Sequence, residues 1–157
     1  MQKENRLRGF ERVESEYLQG RSEELPSRNP MPQRGTKSSA GYDLRAYGSY
    51  IIRAGSMVIV HTGITAFMDE DEFLDVRIRS GHAYSHQLTL QNSCGVIDSD
   101  YYGKEIKLMV RNESDRDFYL NHGDRIGQGI FLPYLITDDD CPADTERKGG
   151  FGSTGNE

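Results

Sequence analysis

Residues 73–79, Phe-Leu-Asp-Val-Arg-Ile-Arg, alternate apolar and charged side chains, the period-two pattern of a half-buried β-strand. Leu74, Val76 and Ile78 belong to one face, Asp75, Arg77 and Arg79 to the other, so Arg79 is expected to emerge at a strand end with its charge exposed. Working outward, runs rich in β-branched and aromatic residues recur at 50–62, 106–111, 118–120 and 126–136, separated by Gly, Asp and Asn. That rhythm predicts an all-β fold. A single short helix is expected inside the domain, near 80–86, and no internal repeat is visible.

At 157 residues, the chain is long enough for one ordinary core. We expect one β domain over residues 1–136, with 19–39 a loop or extension, and a mobile C-terminal arm over 137–157. Both the 19–39 segment, which holds Pro26, Pro30 and Pro32, and the acidic, then glycine-rich arm are poor in the apolar residues that offset ordering entropy. The formal net charge is −6 and there is no long basic block, which argues against nucleic acid as the main ligand. No apolar run reaches the twenty or so residues of a membrane span, and the polar N-terminus lacks a signal-peptide core. The expectation is a cytoplasmic protein with no membrane partner. Cys94 and Cys141 form no CxxC pair, in keeping with a reducing compartment; Cys94 reads as a small core residue.

The densest chemistry lies in residues 92–103, NSCGVIDSDYYG. Val96 and Ile97 favour extended backbone, Asp98-Ser99-Asp100 favours a turn, and Gly95 and Gly103 permit close approach. We read a hairpin in which a flat ligand lies against main-chain donors and acceptors beside a carboxylate. Arg79-Ser80-Gly81 ends a strand in a cation, with Ser80 expected as helix N-cap, a combination suited to an anion. Read without context, a capped helical turn with a surface arginine is the better reading. Residues 123–128, GDRIGQ, read as a hairpin turn in which Asp124 and Arg125 pair and Gln128 offers an amide. Residues 147–155, RKGGFGSTG, join cations, glycines, hydroxyls and the lone aromatic Phe151, as a lid over a phosphate and a base would. AGYDL at 40–44 reads as entry into a core strand, with a metal-linked role for Asp43 as the alternative. His82 and His86 stand four apart, but no third ligand accompanies them at a metal-binding spacing.

In order, these five segments resemble the five motifs of the trimeric dUTP diphosphatase (dUTPase) family, over most of the chain from about Pro32 to Gly155. The resemblance implies a β-barrel or jelly-roll subunit in a homotrimer, with the arm closing over a neighbour's site. It implies hydrolysis of dUTP to dUMP and pyrophosphate, assisted by Mg2+. Asp98 matches the family's water-activating carboxylate, and Tyr101 the tyrosine that packs under the deoxyribose. Uracil would be read by the main chain of Gly95, Val96 and Ile97, with Asn92 in support. The phosphates would lie among Arg79, Ser80, Gly81 and Gln128, joined by Arg147, Gly152, Ser153 and Thr154 from the arm. Phe151 would stack on the base, and Asp43 would reach the magnesium through a water.

The chain departs from the family pattern at several points. Only Lys148 separates Arg147 from Gly149 where two residues are usual, Gly127 stands for a common alanine, and the stretch after Gly103 is one residue longer. Two rival readings remain at this level: a dCTP deaminase-related enzyme sharing the fold, and a dUTP-gated regulatory protein acting on an unidentified protein partner. The Asp98-Ser99-Asp100-Tyr101 run and the glycine-rich arm fit the diphosphatase better than the deaminase.

Overall fold

The structure is a computed structural model that describes residues 6–13, 28, 30–143 and 150. Twelve strands and one helix are present among them: β1 Gly9–Arg12, β2 Gln33–Arg34, β3 Tyr42–Arg45, β4 Tyr50–Ile52, β5 Met57–His61, β6 Ile64–Phe67, β7 Glu72–Ile78, α1 Ser80–His86, β8 Leu88–Leu90, β9 Gly95–Asp98, β10 Lys107–Asn112, β11 Phe118–Leu120 and β12 Arg125–Pro133. The fold is all-β, as the alternation at 73–79 leads one to expect. Its largest sheet runs β2-β3-β12-β7-β9, and a three-stranded sheet runs β5-β10-β8. Leu44, Leu74, Val60, Leu108, Val110 and Ile126 lie buried between them. No helix among the described residues is long and apolar enough to cross a membrane.

The central strand, β12, pairs with β7 from Gly127↔Ile78 to Pro133↔Glu72 and with β3 on its other edge. Its run is shorter than the apolar stretch 126–136 suggests, because Pro133 has no N–H for a further ladder bond and Leu135 and Ile136 are left exposed. The run 50–62 divides into β4 and β5 around a turn in which Ser56 N–H donates to the Arg53 carbonyl. On β7, Leu74 and Val76 are buried as expected, but so is Asp75. Its carboxylate accepts a hydrogen bond from Arg77 Nε at 2.9 Å, so a charge on the supposed solvent face is covered yet paired.

Part of the 19–39 segment is structured. β2 pairs with β3, and the Arg34 guanidinium donates to the Lys37 and Ser39 carbonyls. The rest of that segment, 19–27 and 29, lies outside the described residues. β1 adds to β6 and seats Phe10 against Tyr42 and Phe131, with centroids 5.4 and 5.2 Å away. Such aromatic pairs contribute roughly 0.5–1.5 kcal/mol beyond their burial.

Gly127 explains how β12 sits so close to the second sheet. A Cβ there would lie 2.5 Å from Leu108 Cδ2 and 3.0 Å from the Arg77 carbonyl oxygen. Gly127→Ala should therefore cost about 1–3 kcal/mol of stability by overpacking. Adding Leu108→Val should recover part of that loss in urea denaturation.

Candidate active site

The segment 92–103 does not fold as a hairpin on itself. β9 pairs antiparallel with β7, from Val76↔Gly95 to Phe73↔Asp98, and then enters a 3-10 turn, Ser99–Tyr101. The physical reason is Gly95: a Cβ there would meet Val76 Cβ at 3.2 Å, so the missing side chain lets β9 approach β7. β9 is the edge strand of its sheet. Alternate residues of an edge strand direct N–H and C=O groups outward, a ready partner for a planar hydrogen-bonding ligand.

Beside that edge lies a cavity of about 340 Å3 lined by Asn92, Cys94, Gly95, Val96, Ile97, Tyr101, Lys107, Met109 and Gly150, a volume within the range of small-molecule sites. Asn92, Gly95, Val96, Ile97 and Tyr101 are thus brought together as the motif reading expects. Lys107 and Met109 were not legible as wall residues, because they arrive from β10. Cys94 is half-buried in this wall rather than in the core. The Tyr101 hydroxyl donates to the Glu105 carbonyl at 3.0 Å, and Gly150 comes so near that an added Cβ would lie 3.0 Å from the Tyr101 ring. Asp98 is half-buried at the end of β9.

A second cluster forms where β3, β7 and β12 run side by side. Asp43 Oδ1 pairs with Arg79 Nε and Asp43 Oδ2 with Arg125 Nη1, each at 3.2 Å. Gln128 lies opposite Asp43 on one side and Arg77 on the other. Gly41 makes room for it, since a Cβ at 41 would meet Gln128 Oε1 at 2.1 Å. Arg125 does not pair with Asp124, as the turn signal suggests. Instead Asp124 Oδ2 accepts the Asn121 N–H at 2.9 Å and closes the turn, which frees Arg125 to cross to Asp43.

Ser80 is the first residue of α1 and not its cap. Arg79 occupies the cap position, with no side-chain cap bond. The helix is fastened by His82, whose Nε2 donates to the Arg125 carbonyl at 2.7 Å. His82 and His86 both pack on Phe118, with centroids 5.5 and 4.7 Å away. They are a packing pair, which accounts for their spacing.

Within one chain the two clusters lie at opposite ends of β7. Asp98 sits opposite Phe73, while Arg79 follows Ile78. From Phe73 to Arg79 the strand rises by six residue steps, roughly 20 Å at about 3.3 Å per residue. Arg147, Phe151, Gly152, Ser153 and Thr154 lie outside the described residues.

The profile of the dUTPase family matches residues 27–155. The chain belongs to the dUTPase family. It is 38% identical over 131 residues to the deoxyuridine 5'-triphosphate nucleotidohydrolase of Lactococcus lactis, covering 80% of this chain and 87% of that one. It is 39% identical over 129 residues to the Helicobacter pylori protein of the same name, covering 80% and 88% respectively. Among solved structures, it superimposes on the Streptococcus mutans dUTPase with a TM-score of 0.72 at 36% identity, covering 83% of this chain and 98% of that one.

No group of three or more His, Cys, Asp or Glu side chains able to cage a metal occurs among the described residues of this dUTPase. Asp43, with a guanidinium on each oxygen, is a poor direct ligand. Each carboxylate oxygen retains a second lone pair, so the donor set fits a metal held by phosphates and water, and touched by the protein only through such a water.

Two polar links flank Asp98. Arg8 Nε donates to both Glu72 oxygens at 2.9 and 2.8 Å, one residue from the partner of Asp98. The Tyr102 hydroxyl donates to Glu11 Oε2 at 2.7 Å. The Arg8 hydrogen bond holds the Glu72 carboxyl below its ordinary 4.5, and the Glu11 hydrogen bond, then burial, push Tyr102 above its ordinary 10.0. The depressed Glu72 stabilises the fold above pH 4.5, and that contribution fades as pH falls through the folded value. The raised Tyr102 stabilises it below pH 10.0, and its contribution fades as pH rises through the folded value. Urea midpoints across pH should show Arg8→Gln converging on wild type only in acid, and Tyr102→Phe converging only in alkali.

Proposed function

We propose that this dUTPase hydrolyses dUTP to dUMP and pyrophosphate, with base and phosphates held by residues of different subunits of a homotrimer. The observation that carries the reading is the open edge of β9, which ends in Asp98 and borders the cavity containing Tyr101. Backbone groups of Gly95, Val96 and Ile97 would meet uracil O4 and N3–H, with Asn92 beside them. Cytosine presents the opposite donor and acceptor pattern and would leave buried groups unpaired, a mismatch able to discriminate by about 10⁴. Thymine must be excluded by shape. Tyr101 would pack under the deoxyribose and leave no room for a 2′-hydroxyl.

The phosphates would extend to Arg79, Ser80, Gly81 and Gln128. Arg79 uses Nε for Asp43, which leaves its terminal nitrogens for phosphate oxygens. Because Asp98 and Arg79 stand roughly 20 Å apart in one chain, a single triphosphate would take them from two copies. The outer face of β5 supports such association, with Met57 and Ile59 exposed, as does the exposed pair Leu135 and Ile136 that leads into the arm. Arg147, Gly152, Ser153 and Thr154 would add donors to the phosphates, and Phe151 would cover the base.

Asp98 takes a proton from a water whose oxygen attacks the α-phosphorus. The new P–O bond forms as the bond from the α-phosphorus to the bridging oxygen breaks, and pyrophosphate leaves with that oxygen. Bound Mg2+, touched by Asp43 through a water, would neutralise phosphate charge.

The test is pyrophosphate release from dUTP, dCTP, dTTP and UTP, with magnesium and with chelator. Selective, magnesium-dependent release from dUTP supports the reading, and ammonia from dCTP in its place overturns it. Asp98→Asn should lower kcat by about 10²- to 10⁴-fold while dUTP binding persists; unchanged turnover would remove Asp98 from the base role. Truncation after Lys148 should sharply lower kcat/KM while the trimer, measured by light scattering, survives.

A further inference from the structure

Glu105 is a carboxylate that the hydrolysis does not use, yet its side chain is only 3% exposed. Burying a carboxylate costs several kcal/mol unless donors surround it, and here three do. Oε1 accepts the N–H groups of Gly63 at 2.8 Å and Thr62 at 3.2 Å, and Oε2 lies 2.7 Å from His61 Nδ1. The same residue's backbone carbonyl accepts the Tyr101 hydroxyl. Glu105 therefore joins the turn between β5 and β6 to the tyrosine in the cavity wall.

The turn is itself well anchored. Gly63 adopts φ +69°, Thr62 Oγ1 donates to the Ile106 carbonyl at 2.7 Å, and Ile106 N–H donates to the Ile64 carbonyl at 2.8 Å. Tyr101, by contrast, ends a three-residue 3-10 turn, a short element with poor hydrogen-bond geometry. The fixed point for its hydroxyl is the carbonyl of a residue whose side chain is clamped from behind.

We propose that Glu105, with His61 as its partner, is the positioning residue for Tyr101 and thereby sets the enzyme's preference for deoxyribose over ribose. The inference rests on the sugar-packing role of Tyr101 given above. Without the clamp, the Glu105 carbonyl shifts, the Tyr101 ring loses its fixed height, and the space that excludes a 2′-hydroxyl opens.

The experiment measures kcat/KM for dUTP and for UTP with wild type, Glu105→Met, Glu105→Gln and His61→Phe. Glutamine keeps an oxygen for the two amides and offers an N–H to His61 in its other tautomer, so it should retain the dUTP-to-UTP ratio. Glu105→Met leaves both amides without their acceptor and should lower that ratio by tenfold or more. His61→Phe removes one of the three bonds and should lower it by a smaller factor, which keeps the proposal testable should Glu105→Met fail to fold. A purely structural clamp would lower thermal stability and both kcat/KM values together, leaving the ratio unchanged, and that result in a folded variant overturns the proposal. A wild type that itself fails to prefer dUTP over UTP would instead overturn the reading of Tyr101, so the two failures are distinguishable.

Discussion

The antiparallel ladder between β7 and β12 is the constraint on which the rest of the structure depends. Seven residue pairs join the two strands, from Gly127↔Ile78 to Pro133↔Glu72, and β3 and β9 add to their outer edges. Gly127 lets the ladder press against Leu108 of the second sheet, while Gly129 makes room for the Leu74 side chain of β7 within the ladder itself. The elements that carry Arg79, Gln128, Asp43 and Asp98 take their positions from this ladder. Arg79 leaves the end of β7, Gln128 rides on β12, Asp43 lies opposite Gln128, and β9 borrows its register from β7. The ladder thus fixes the separation between the cavity beside β9 and the Asp43–Arg79–Arg125 cluster, roughly 20 Å of strand at about 3.3 Å per residue.

Electrostatics at the Asp43–Arg79–Arg125 cluster follow from the same geometry. The chain carries a formal charge of −6, which repels a nucleoside triphosphate at long range. Arg79, Arg125 and Asp43 together leave one net positive charge where β3, β7 and β12 converge. Asp43 offsets part of that charge while holding both guanidiniums in place, so an anion bound there, as proposed above, would cost less side-chain entropy. His82 contributes to the same arrangement from the helix side, because its bond to the Arg125 carbonyl fastens α1 beside the cluster.

The strands that alternate or run apolar over several residues, such as β7, β10 and β12, were legible in the sequence. β8 and β2 were not: Leu88–Leu90 carries one threonine between two leucines and no aromatic residue, unlike the equally short Phe118–Leu120, and Gln33–Arg34 is wholly polar. β6, Ile64–Phe67, was hidden because the apolar run before it reads as one strand ending at Thr62. β1 carries Glu11 and Arg12 in a polar stretch, and only Phe10 betrays its packing. Sequence order likewise places the base-side residues in one motif, and five of them line one cavity. The partners of Asp43 were out of reach, since Arg125 stands 82 positions away and local turn chemistry points it at Asp124. Glu105 was overlooked for a related reason: a charged residue beside Lys104 reads as surface until the turn at 61–63 folds over it.

Reading a base with main-chain atoms, as proposed for β9, makes a demand that side-chain recognition does not. A side chain that is slightly misplaced can rotate, whereas a backbone donor and acceptor move only if the strand moves. β9 is a four-residue edge strand with one neighbour, the arrangement most prone to fray. The structure counters this from three directions: Gly95 lets the strand seat closely on Val76, Arg8 ties down Glu72 beside Phe73, and Tyr102 ties the far side of the 3-10 turn to Glu11 on β1. The N-terminal strand is therefore part of what keeps the recognition edge in register. Its two polar links fall on either side of Asp98, so a displacement of that strand would reach both the edge of β9 and the carboxylate at its end.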